Sequence, residues 1–219
     1  MLRRAHSLDG SGGTQSGQNA ASMTDDQSEI AAQAARWVVE EGLEYDPAKR
    51  RAVKALGLSG RGSLPSNEVL EDAVMDYIGV FCADTQPHEL QALRRLALDW
   101  MARLSEFRPH LGGAVWHGTA TRKSDIYLQL FCDDSKSAEI ALIDQRVSYV
   151  ARTVSGFKGE PVEALSVHAF CAELNEDIGV HLMIYDFDDV RGALKPDAKG
   201  RAPRGDAKAV QCLLLQLTV

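Results

Sequence analysis

Residues 111–128 read L-G-G-A-V-W-H-G-T-A-T-R-K-S-D-I-Y-L. A glycine pair, Gly112-Gly113, is followed five residues later by Gly118. Ser124-Asp125 then opens an apolar alternation through Ile126, Leu128, Leu130 and Cys132. Alternation with a period of two predicts a strand over 125–132, because successive strand side chains point to opposite faces. The stretch therefore reads as a tight glycine turn delivering a strand whose first residue is a carboxylate. Glycines let backbone N–H groups approach phosphates closely, and a carboxylate is a hard oxygen ligand suited to Mg²⁺. Two acids at alternate strand positions would share one face and could hold two metals. Here the position after next is Tyr127.

Outward from this stretch the chain divides by pattern. Before it, helical spacing dominates. Thr24-Asp25-Asp26-Gln27 fits a capping box, and the stripe of Ile30, Ala34, Trp37 and Val38 ends at Gly42. Asp46-Pro47 opens a short second helix ending at Leu56-Gly57, with a loop from Gly57 to Pro65. Ser66 caps a third helix striped by Val69, Leu70, Ala73, Val74, Tyr77, Ile78 and Phe81. A fourth runs over 87–107 with Leu90, Leu93, Ala97, Trp100, Met101 and Leu104 inward. Trp100 and Phe81 are expected to be core residues joining these two helices.

After Pro109 the periods shorten. Residues 114–118 predict a short strand or turn, and 136–144 one or two helical turns. Leu165, Val167, Ala169 and Cys171 alternate, as do Val180, Leu182 and Ile184, so both segments predict strands. Residues 195–206 form a loop and 206–217 a closing helix. Residues 1–22, rich in Gly, Ser and Gln, are expected to be disordered. The expected fold is α+β: a helical unit over 23–108 packed on a small mixed-sheet α/β unit over 109–219.

Composition bounds the function. The formal net charge of −7 argues against general nucleic-acid affinity, which is driven by many Lys and Arg contacts to phosphates. It leaves room for a small anion bound with a metal. No apolar window is long enough to span a bilayer, and the N-terminus lacks the apolar core of a secretory signal. Cys82, Cys132, Cys171 and Cys212 form no C-x-x-C pair, so reduced thiols in the cytoplasm are expected. No P-loop, no G-x-S-x-G elbow and no H-E-x-x-H motif occurs.

The turn and strand, over about Pro87 to Asp134, resemble the minimal nucleotidyltransferase (DNA polymerase β-like) superfamily, whose pattern is G-S-x-x-x-G, a turn, then S-D-x-D on a strand. Gly113 and Gly118 fall on its glycines and Ser124-Asp125 on its S-D, with Ala114 and Tyr127 departing from the pattern. The resemblance implies a nucleoside triphosphate as partner, Mg²⁺ as cofactor and transfer of a nucleoside monophosphate to an acceptor. It implies that Gly113, Gly118, Thr119, Ser124 and His117 contact the triphosphate. It implies a third acid on a later strand, for which Glu163 and Asp186 are the candidates; we pair Asp186 with Asp125 as catalytic and metal-holding groups. Ala114 and Tyr127 favour the alternative of a catalytically inactive nucleotide-binding or regulatory module, since a phenol is a poor Mg²⁺ ligand at neutral pH.

Other clusters have simpler readings. Lys49, Arg50, Arg51 and Lys54 are expected to be a solvated helix face. Asp133-Asp134 predict a turn and helix N-cap. His168 and His181 are expected in the core or at an edge rather than as a metal pair. Lys199, Arg201 and Arg204 are expected in a solvated loop.

Overall fold

The computed structural model describes residues 25–58, 64–197 and 200–216. The expected tail at 1–22, the cap at Thr24 and Lys199 lie outside the described residues. Among those described, eight α-helices accompany one six-stranded mixed sheet.

The first three helices form a layer of their own. They are α1 (Asp25–Glu41), α2 (Tyr45–Ala55) and α3 (Asn67–Phe81). Ile30, Ala34 and Trp37 pack on Ala48 and Ala52 and on Leu70, Val74 and Ile78. Ser66 caps α3 as expected, its side chain accepting from the Val69 N–H. The α1–α2 corner turns on Gly42 at φ +70, where an added Cβ would lie 2.5 Å from the Lys123 carbonyl oxygen.

Two expectations fail here. Phe81 is 67% exposed; it sits in the last turn of α3 and stacks on Tyr77 at 4.5 Å instead of reaching Trp100. Lys49 is 5% exposed, because its ammonium turns inward to Asn67 Oδ1 at 2.5 Å.

The sheet comprises β1 (His110–Gly112), β2 (Ile126–Cys132), β3 (Val150–Ser155), β4 (Pro161–Cys171), β5 (Glu176–Asp186) and β6 (Arg204–Gly205). Its order is β3-β4-β5-β2-β1-β6. β2 and β5 pair in parallel, with Ile126 opposite Val180 and Cys132 opposite Asp186, while the other pairings are antiparallel. A parallel pair needs a long crossover, supplied here by α6 (Ser135–Asp144), β3 and β4. Asp134 caps α6 by accepting from the Lys136 N–H.

Because strand side chains alternate, β2 and β5 sort their residues cleanly onto two faces. Ile126, Leu128 and Leu130, with Val180, Leu182 and Ile184, face one side. There they meet Leu90, Leu93, Ala97, Trp100 and Met101 of α4 (Gln86–Arg103), Ala138 and Leu142 of α6, and Val210 of α8 (Ala207–Gln216). Tyr127, Gln129 and Phe131, with His181, Met183 and Tyr185, face the other side. Part of that second face is closed by Ala193 of α7 (Val190–Ala193) with Phe131 and Tyr185. The rest looks towards α1–α3. No described helix is long and apolar enough to cross a membrane.

Residues 114–118 are expected as a strand or turn, but Gly113–His117 form the short helix α5. Helix is favoured there by a capping set that pattern does not reveal. Gly118 closes it at φ +91, its N–H reaching the Ala114 carbonyl at 2.9 Å.

Candidate functional site

The glycine turn is fixed from behind by α4. Arg94, 5% exposed, donates from Nε to the Val115 carbonyl at 3.1 Å and from Nη2 to the Trp116 carbonyl at 3.2 Å. A cation at a helix C-terminus also complements the partial negative charge there. Burial lowers the Arg94 pKa from its usual value. Gln86 donates to the Gly118 and Ala120 carbonyls at 3.0 and 2.8 Å. On the far side the Trp116 indole N–H donates to the Ala202 carbonyl at 2.7 Å. Its ring lies so close to Gly205 that an added Cβ would stand 2.2 Å from it.

Ser124 closes the next turn: its N–H donates to the Thr121 carbonyl at 2.8 Å, and its hydroxyl accepts from the Thr121 N–H at 3.1 Å. Asp125 follows at the mouth of β2. Its Oδ2 lies 3.0 Å from Nε2 of His181, one strand away on β5. A carboxylate oxygen can only accept, so Nε2 donates. In the neutral imidazole Nδ1 then accepts from the Ser166 hydroxyl on β4, 2.9 Å away. The His181 hydrogen bond holds the Asp125 carboxyl below the usual carboxylate range, assisted by the Gly179 N–H. Gly179 has to be a glycine for this contact: a Cβ would lie 2.6 Å from Asp125 Oδ1.

Tyr127 stacks on His181 with ring centroids 4.9 Å apart and donates its hydroxyl to Glu44 at the α1–α2 junction. Burial, then that carboxylate, push its pKa far up, so the phenol stays protonated.

These groups border a cavity of about 670 Å³ between α1–α3 and the second face of the sheet. Gly113, His117, Ser124 and Asp125 line it, whereas Gly118 and Thr119 do not. His117 Nδ1 lies 2.6 Å from Glu71 Oε1, and its Nε2 3.3 Å from the Pro203 carbonyl. Glu71 is 7% exposed and also takes Arg201 Nη2 at 2.7 Å, while Arg201 Nε holds Asp197 at 2.9 Å. Arg201, expected in solvent, is therefore a clasp between the late loop and α3.

Asp186 does not join Asp125. It ends β5 opposite Cys132, seven residues along the sheet, about 23 Å away at strand spacing. Its carboxylate caps the following turn through the Asp188 N–H. Glu163 pairs with Ile184, which stands opposite Leu130, so it too is roughly 16 Å along from Asp125; it binds Lys136 instead. Among the described residues no group of three or more His, Cys, Asp or Glu side chains is placed to hold a metal ion. The donor set does not fit Mg²⁺: the neighbours of Asp125 on its own face are a protonated phenol and an imidazole that Asp125 itself engages.

Pattern reading missed Glu44, Glu71, Gln129 and His181 as site residues. Gln129 carried a signal, a polar side chain among the apolar residues of β2, whereas Glu71 is one of four acids on α3. Glu44 and His181 carried none, because their roles depend on β2 meeting β5 and the α1–α2 corner. No protein-family model, curated protein or solved structure matches this chain.

Proposed function

We propose that this chain is a small-molecule-binding module on a nucleotidyltransferase-like frame, and that it does not perform Mg²⁺-dependent nucleotidyl transfer. The frame is supported by the order α4, β1, the glycine turn, then β2 opening on Ser124-Asp125. The observation that carries the loss of transfer is the commitment of Asp125 to His181 at 3.0 Å, beside a Tyr127 that is itself tied to Glu44. Two-metal chemistry needs carboxylates free to bridge the ions, and here one acid is engaged and the second is a phenol. Four free cysteines support a cytoplasmic setting.

The test is pyrophosphate release from ATP, CTP, GTP and UTP, with and without Mg²⁺. Wild type and Asp125→Asn should both stay at background. Mg²⁺-dependent release by wild type that disappears in Asp125→Asn would overturn the reading. Tyr127→Asp puts a second carboxylate on the face of Asp125 and should gain Mg²⁺-dependent nucleotide binding by calorimetry.

A further inference from the structure

The 670 Å³ cavity carries the wrong charge for a bare triphosphate. Six carboxylates line it: Glu44, Asp46, Glu68, Glu71, Asp125 and Asp197. The guanidinium of Arg201 is already shared between Glu71 and Asp197, so it is not free to receive a phosphate. Among the described residues, Glu44 and Glu68 have no ion-pair partner.

A second observation points the same way. Gln129, in the middle of β2, lines the cavity floor and is 7% exposed. Its Oε1 is buried without a hydrogen-bond partner. A buried acceptor left unpaired is costly, and only a donor can satisfy it. The cavity thus asks its occupant for N–H groups and positive charge together. Between the polar groups stand Leu43, Tyr45, Tyr127 and Met183, an apolar wall suited to methylene chains and to a cation over an aromatic face.

We infer that this cavity binds a linear polyamine, with ammonium groups on Glu44, Glu68 and Asp125, an N–H on the Gln129 carbonyl, and methylene spacers along the tyrosine wall. The inference rests on the binding-module reading and names its ligand class. Alternating charge and methylene match the alternation of the lining, which neither a nucleotide nor a simple metal ion does.

Spermidine titrated calorimetrically into the full chain is the probe. One-to-one binding is expected. Glu44→Gln, Glu68→Gln and Gln129→Leu should each weaken it by about tenfold, the effect of one lost charged contact. Glu68→Gln lies on the part-exposed side of α3 and keeps the test open if Gln129→Leu folds poorly. Glu173→Gln removes an acid paired with Arg95 that does not line the cavity and should leave affinity within about twofold. No heat from spermidine overturns the inference, as does equal weakening by Glu173→Gln, or ATP binding more tightly than spermidine. The pyrophosphate assay is independent, so loss of the binding-module reading and loss of the polyamine inference are told apart.

Discussion

Replacing Arg94 with methionine should loosen the glycine turn and destabilise the whole chain. The methionine side chain keeps most of the packing of the arginine stem but removes both N–H donors. The Val115 and Trp116 carbonyls, at 3.1 and 3.2 Å from those donors, then lose their partners. Hydrogen bonds with a charged donor contribute about 1.5–3 kcal/mol each. Against that, the variant no longer buries a charge, which recovers part of the loss. A net cost of about 3 kcal/mol follows, and for a chain of this length about 6–12 °C in Tm. Differential scanning calorimetry with urea unfolding measures it. Arg94→Lys should recover less than half, since one ammonium cannot fork to two carbonyls in fixed geometry. A Tm for Arg94→Met within about 2 °C of wild type would refute the argument, because α5 would then hold its shape without the α4 cation.

Three further outcomes are expected. Trp100→Ala should cost about 3–5 kcal/mol as a core truncation, whereas Phe81→Ala, at an exposed helix end, should cost less than about 1 kcal/mol; chemical denaturation separates them. Gly205→Ala should drive the Trp116 ring from its seat and red-shift its fluorescence, since the new Cβ would start 2.2 Å from the ring; an unchanged emission spectrum would contradict the packing. The Asp125 carboxyl is held below its usual range by His181, so its contribution to stability is fully present above the unfolded carboxyl pKa of about 3.9 and is lost as pH falls through the lower folded value. The stability gap between wild type and Asp125→Asn should therefore shrink steadily as pH falls below about 4; a gap that keeps widening below about pH 4 would rule the contact out.

The sequence carried the elements whose residues repeat on a buried face. The spacing of α1, α3 and α4 and the alternation in β2, β4 and β5 are visible because each presents one apolar side to a core. β3 was invisible for the opposite reason: it is the sheet's outer strand, and all six of its residues except Val154 are exposed, so neither face leaves an apolar signature. β1 and β6, three and two residues long, exist only because β2 and each other are near. Asp125, Gly113 and His117 were singled out from local turn chemistry as metal and triphosphate contacts, and the structure places all three on the cavity lining. The third-acid assignment to Asp186 failed because register is a long-range property. The parallel pairing sets Asp125 beside Gly179 and His181, and nothing in either segment alone specifies that alignment.

The walls of the cavity come from segments far apart in the sequence, residues 38–46 on one side and 197–201 on the other. Glu44 and Glu71 are made early, yet Glu71 is anchored by Arg201, and the turn bearing Gly113 is seated by Ala202 and Gly205 against Trp116. A nascent chain can therefore form its first helices long before it owns a complete pocket. Synthesis must pass residue 205 before both sides stand at their final separation. Any ligand that requires the closed arrangement will meet its site only after residue 205 has been made. A chain stalled before residue 201 would keep its first helices and lack the means to bind.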